Sequence, residues 1–276
     1  MPTTIWTKQA AVLAALGALV GVGLTTAAGC AAAAPPVLAR THAEKMGHRL
    51  MSESSSNWAG PVLTGGTYRS VRTTFAVPPA SCPSAGGYTI ASFWAGIDGG
   101  TPASDTVEQA GVDVVCDHGR DAYQAWTEEY PGPSQPVATS DFAVAAGDLV
   151  TIGVDAGARI DRYTLDNLTT GAHFTWSAAA PSGASGASAE CIAEAPTGAN
   201  GLEMLTNFGS AAFTSCQATP AGSGRACQVI SGAGCPAGSH VVLDNIEGRR
   251  HHRHALRKAT TSPGNGGAFT VTWHHA

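Results

Sequence analysis

Gln109, within Thr106-Val107-Glu108-Gln109-Ala110-Gly111-Val112-Asp113, carries a neutral amide that can donate a hydrogen bond to a developing oxyanion without itself titrating. Such a donor needs a general base as partner. Eighty-five positions further on, Ala189-Glu190-Cys191-Ile192-Ala193-Glu194 ends a short alternating segment on a carboxylate, a group able to activate water. Gln109 and Glu194 therefore form a candidate hydrolytic dyad.

Both residues sit in segments that read as strands. From Asn57 onward, runs of alternating apolar and polar residues are divided by Gly, Pro, Asn and Ser, the pattern of many short antiparallel strands. Strands are expected at 58–63, 68–77, 89–97, 106–116, 122–130, 149–154, 160–166, 173–177, 189–194, 211–217, 240–246 and 268–273. No long amphipathic helix is evident, and Pro181 to Ser188 reads as a Gly/Ser/Ala loop. Strands at this spacing predict an all-β chain, a two-sheet antiparallel β-sandwich of concanavalin-like jelly-roll type. Side chains two apart share a face. Gln109, Gly111 and Asp113 thus line one row, Trp126, Glu128 and Tyr130 a second, and Glu190, Ile192 and Glu194 a third. Polar groups among aromatics on such rows point to a cleft rather than a core.

Composition narrows the class. Charged residues make up 13% and the formal net charge is -5, so nothing in the balance points to nucleic acid as a partner. Lys8 followed by the uncharged apolar stretch Ala10 to Leu24 has the layout of a secretory signal peptide, and the run is short of the about 20 residues of a membrane span. Residues 1–34 are read as this leader. Ala27-Ala28-Gly29-Cys30 resembles a lipoprotein box, which would place a lipid anchor at Cys30, whereas Ala31 to Pro35 suits ordinary cleavage. Residues 35–55 read as a short propeptide or linker, and 56–276 as one domain, expected to be secreted and monomeric. Without Cys30, six cysteines remain, Cys82, Cys116, Cys191, Cys216, Cys227 and Cys235, enough for up to three disulfides. A local bridge between Cys227 and Cys235 is expected. No Cys-x-x-Cys pair is present, against a zinc ribbon or a thioredoxin-like site.

The ordered motifs resemble the glutamic peptidases, the eqolisin or G1 family. They are Ser56-Asn57-Trp58-Ala59-Gly60, Phe75-Ala76-Val77-Pro78, Phe93-Trp94-Ala95-Gly96-Ile97-Asp98-Gly99 and Val107-Glu108-Gln109-Ala110-Gly111-Val112-Asp113. Ala125-Trp126-Thr127-Glu128-Glu129-Tyr130-Pro131, Asp166-Asn167-Leu168-Thr169-Thr170-Gly171 and Ala189-Glu190-Cys191-Ile192-Ala193-Glu194 follow in the family's order. The resemblance implies a seven-stranded two-sheet sandwich and an acid-acting endopeptidase of proteins and peptides, without metal or cofactor. It puts the catalytic Gln on Gln109 and the catalytic Glu on Glu194, with Trp58, Trp94, Asp98, Asp113, Trp126, Glu128 and Tyr130 lining or supporting the cleft.

Some positions depart from the family pattern. Where it often has Trp-Tyr-Glu-Trp-Tyr-Pro, this chain has Trp126-Thr127-Glu128-Glu129-Tyr130-Pro131; Gln124 replaces an Asp, and Cys191 an aromatic residue. The run Arg249-Arg250-His251-His252-Arg253-His254 with Arg257-Lys258 reads as a solvated loop between strands. Asn167-Leu168-Thr169 is a glycosylation sequon. Other classes fit part of the pattern: a lectin-like sandwich using Trp58, Trp94 and Trp126, a retaining glycosidase using Glu128 and Glu194, and an inactive sandwich. Neither a Gly-x-Ser-x-Gly elbow nor a His-Glu-x-x-His motif is present.

Overall fold

The computed structural model describes residues 53–102, 104–251 and 254–275. The leader, Cys30 and residues 35–52 lie outside the described residues. In chain order the strands are β1 (Glu53–Ser55), β2 (Trp58–Thr64), β3 (Tyr68–Ala76), β4 (Thr89–Ile97), β5 (Val107–Asp117) and β6 (Arg120–Tyr130). They continue with β7 (Gln135–Pro136), β8 (Leu149–Asp155), β9 (Ile160–Asn167), β10 (His173–Ala179), β11 (Ser188–Glu194) and β12 (Thr197–Gly198). The last are β13 (Gly201–Leu202), β14 (Ser210–Pro220), β15 (Cys227–Gln228), β16 (His240–His251), β17 (His254–Pro263) and β18 (Phe269–Trp273). Among the described residues there is no helix.

Hydrogen-bonded neighbours run in the order β10-β9-β8-β3-β14-β18-β17-β16-β2-β11-β4-β5-β6-β7. Every pairing on this path is antiparallel; β1 joins β16 in parallel. The chain is an all-β sandwich, its two halves facing each other across one apolar core. Period-two alternation selects that core: Phe93, Ala95 and Ile97 from β4, Ala110, Val112 and Val114 from β5, and Val150, Ile152 and Val154 from β8. Five phenylalanines, Phe75, Phe93, Phe208, Phe213 and Phe269, form a connected ring cluster with centroids 4.3 to 6.4 Å apart. Each such fully buried ring contributes roughly 2 to 3 kcal/mol.

Three disulfides fasten the sandwich. Cys227–Cys235 is the local bridge expected from the sequence; Cys82–Cys116 and Cys191–Cys216 are the long-range pair. Cys191 on β11 points into the core opposite Cys216 on β14, so this bond ties a strand of one layer to a strand of the other.

Two readings change. The basic run is not a loop: β16 extends to His251 and β17 begins at His254, with Glu247 opposite Arg257 and Gly248 opposite Leu256. Backbone pairing carries those strands where the sequence offers no alternation. The sequon is not displayed either. Asn167 is buried, its amide nitrogen donating to the Ala143 carbonyl at 3.1 Å and to Asp148 at 2.8 Å.

Candidate active site

Strands β11, β4, β5 and β6 lie side by side, so the three rows inferred from alternation share one sheet face. Register then builds a grid. Glu190, Gly96, Gln109 and Glu128 form one row; Ile192, Trp94, Gly111 and Trp126 the next; Glu194, Ser92, Asp113 and Gln124 the third. The middle row is an aromatic band. Trp58, Trp94, Trp126, Val62, Val107 and Ile192 make a second apolar cluster, separate from the main core, with Tyr130 packed against it. Trp58 meets Trp94 edge to face at 4.9 Å.

Two glycines let the indoles lie against the sheet. A Cβ at Gly111 would stand 2.5 Å from Trp126 and 2.7 Å from Trp94, and one at Gly96 2.8 Å from Trp94. Both contacts are closer than carbon atoms tolerate.

Glu194 is fully buried at the end of β11. The Trp94 indole donates to its Oε2 at 2.8 Å and the Asn57 amide to its Oε1 at 3.1 Å. Burial raises its pKa well above the ordinary carboxylate range; the Trp94 hydrogen bond opposes that rise and the charge of Glu128 adds to it. The Trp58 N–H also favours the ionised form, although it closes no hydrogen bond of ordinary geometry. A carboxyl in this setting gains a proton readily and can return it.

Gln109 is equally buried, and its Nε2 donates to Glu128 Oε2 at 2.9 Å. Its Oε1 has no protein partner. No hydrogen bond links Gln109 to Glu194; Glu128 bonded to the one and acting on the charge of the other is their connection. Asp113 accepts from Ser92 at 2.5 Å within the third row. Asp98 has a different duty. Its carboxylate accepts from Ser185 N, Ser185 Oγ, Gly186 N and Ala187 N at 2.6 to 2.9 Å, pinning the loop that leads into β11. Asp98 itself has φ of 68°, a left-handed conformation that Asp tolerates better than most residues.

Sequence reasoning missed Asn57 as a holder of Glu194, although it stands in the quoted motif Ser56-Asn57-Trp58. It also missed what lies behind the grid. Glu108 and Glu129 alternate with Gln109 and Glu128, and therefore face inward, where Asp161 and Tyr163 of β9 meet them. Burial, then the charges of Asp98 and Asp161, pushes the Glu108 carboxyl up to about 9; burial pushes Glu129 up to about 7. Among the described residues no group of His, Cys, Asp and Glu is arranged to hold a metal ion.

The model of the Peptidase A4 family matches residues 56–243, the span that contains the whole grid. The chain belongs to the Peptidase A4 family. It is accordingly a glutamic-type endopeptidase. It is 34% identical to Aspergillopepsin-2 of Aspergillus niger over 211 residues, 68% of this chain and 74% of that protein. The fold is similar to that of scytalido-glutamic peptidase, solved with a transition state analog inhibitor, at a TM-score of 0.63 and 25% identity, covering 80% of this chain and 99% of that one. Aspergilloglutamic peptidase from Aspergillus niger gives a TM-score of 0.52 at 27% identity, over 67% of this chain and 99% of its own. Family membership replaces the lectin and glycosidase alternatives. No helix among the described residues is long and apolar enough to cross a membrane.

Proposed function

We propose that this Peptidase A4 member is a secreted, acid-acting endopeptidase in which Glu194 is the general base and acid and Gln109 the oxyanion donor. The observation that carries the reading is the setting of Glu194: a fully buried carboxyl held by two neutral donors, on the same sheet face as an amide anchored by Glu128. Glu194 as carboxylate takes a proton from water while the water attacks the scissile carbonyl. The resulting oxyanion accepts a hydrogen bond from the Gln109 amide. Glu194 then protonates the leaving nitrogen, and the peptide C–N bond breaks.

An amide suits the oxyanion role in acid because its N–H groups persist at every working pH. Glu128 fixes which way that amide is turned. Acid working conditions accord with the inward-facing carboxyls, which keep their protons only below neutrality or slightly above it. Export accords with the Lys8 to Leu24 leader pattern and with three disulfides, bonds that persist in oxidising compartments.

The test is proteolysis of a denatured protein across acidic pH by the wild type, Glu194→Gln and Gln109→Ala, each first shown to be folded by circular dichroism. Glu194→Gln is expected to abolish turnover, and Gln109→Ala to lower kcat by about 10² to 10³. Undiminished cleavage by either folded variant overturns the assignment.

A further inference from the structure

Glu128 and Glu129 are successive residues of β6, so one faces the catalytic grid and the other the reverse side of the sheet. On that reverse side a cavity of about 350 Å³ opens between the β6–β7 edge and β10. Glu129 and Thr127 line it from β6, Phe174 and Trp176 from β10, and Pro133 and Pro136 from the turn into β7. Its volume is in the range of small-molecule sites.

The chemistry of the walls is specific. Both carboxylate oxygens of Glu129 are buried from solvent and close no hydrogen bond of ordinary geometry, although Tyr163 and Asp161 stand near enough to act on its titration. Behind them Glu108, fully buried, also has both oxygens without a closed hydrogen bond, and Asp161 has one. Asp98, at the end of β4, adds its charge to Glu108 and Asp161. The groups facing Glu129 are therefore Glu108 of β5 and Asp161 and Tyr163 of β9, and none of these is a cation. Trp176 leans on Tyr163 with ring centroids 5.4 Å apart, and Phe174 stands two residues away on the same side of β10. Carboxylates short of donors, beside aromatic faces, are what an ammonium group needs: charge-assisted hydrogen bonds on one side and ring quadrupoles on the other.

The sequence explains why the space exists. This chain has Glu129 where related sequences often carry Trp, so a short acidic side chain stands where an indole would fill the volume. The carboxyls do not form a metal site. We propose that this cavity is a second ligand site, back to back with the catalytic face, which binds an alkylammonium group between Glu129 and Trp176. The ligand's N–H groups donate to Glu129 and its alkyl chain lies along Trp176 and Phe174. Binding requires the ionised carboxylate, so it strengthens as pH rises through the range near 7 where Glu129 loses its proton. The site is independent of the catalytic assignment and is read without any measure of proteolysis.

The experiment is isothermal titration of the full chain with n-butylammonium near neutral pH, beside 1-butanol as the neutral isostere. Saturable binding is expected, with 1-butanol and the Glu129→Gln variant each about tenfold or more weaker, the loss of one charge-assisted contact. Trp176→Leu is expected to weaken binding while leaving Glu129 in place, and a titration near pH 5 to show the same weakening. Spermidine and Nα-acetyl-lysine methylamide then separate the sources: tighter binding of the first assigns a free polyamine, of the second a lysine side chain. Absence of saturable heat, equal binding of 1-butanol, or undiminished binding by folded Glu129→Gln overturns the proposal.

Discussion

Replacing Glu108 by Gln should make the fold resist alkali. Glu108 has no exposure, lies at core parity on β5 and has both carboxyl oxygens without a closed hydrogen bond, so its ionised form is costly in the folded chain. Its pKa moves from 4.5 to about 9 on folding, with burial as the chief cause and the charges of Asp98 and Asp161 next. The folded state then binds close to one proton more than the unfolded state throughout that interval, and stability falls as pH rises. The neutral carboxyl's contribution is complete below the unfolded pKa and is lost progressively up to the folded one. Between about pH 5 and about pH 8 the loss from this group alone is about 4 kcal/mol, at about 1.4 kcal/mol per unit. The substituted amide is nearly isosteric with the carboxyl and does not titrate, so Glu108→Gln should retain stability near pH 5 and exceed the wild type by about that amount near pH 8. Urea unfolding of both proteins, disulfides intact, at a series of pH values measures the difference. Parallel stability curves for wild type and variant would refute the argument.

Other expectations follow from single contacts. Trp94→Phe removes the indole donor to Glu194, so the carboxylate is less favoured and the acidic limb of the kcat/KM profile should move to higher pH; an unshifted limb counts against this role for Trp94. Removing the Cys191–Cys216 bridge by a double Ala substitution should cost about 3 kcal/mol, read as a lower denaturation midpoint. Gly111→Ala forces a methyl against Trp126, Trp94 and the Phe93 carbonyl and should cost about 1 to 3 kcal/mol, with the intrinsic Trp fluorescence altered.

The sandwich was legible because half-buried strands alternate. Thr89–Ile97 has the same limits in sequence and structure, and the three polar rows became a grid once β11, β4, β5 and β6 proved adjacent. Adjacency itself is long-range and leaves no local mark. The strand His254–Pro263 was invisible because its start is a basic run, and pairing with β16 and β18 rather than side-chain pattern holds it extended. Asp98 looked like a cleft residue; its four donors come from Ser185 to Ala187, far along the chain. Glu108 and Glu129 did leave a signal, acidic side chains at positions whose parity matches Ala110 and Ala125, and that conflict of charge with core parity marks the inner cluster.

The Cys191–Cys216 bond has a consequence for how the enzyme comes to exist. Glu190, Ile192 and Glu194 project from one side of β11, and Cys191 leaves the other side to reach β14. The strand bearing the general base is thus moored to the opposite layer by a covalent bond three residues from the reacting group. A chain kept in a reducing compartment would have to hold that strand in register by packing alone. Oxidation is then a maturation step: the same environment that closes the bond licenses the position of Glu194, and a molecule that never leaves the reducing side remains poorly assembled where it would otherwise cut.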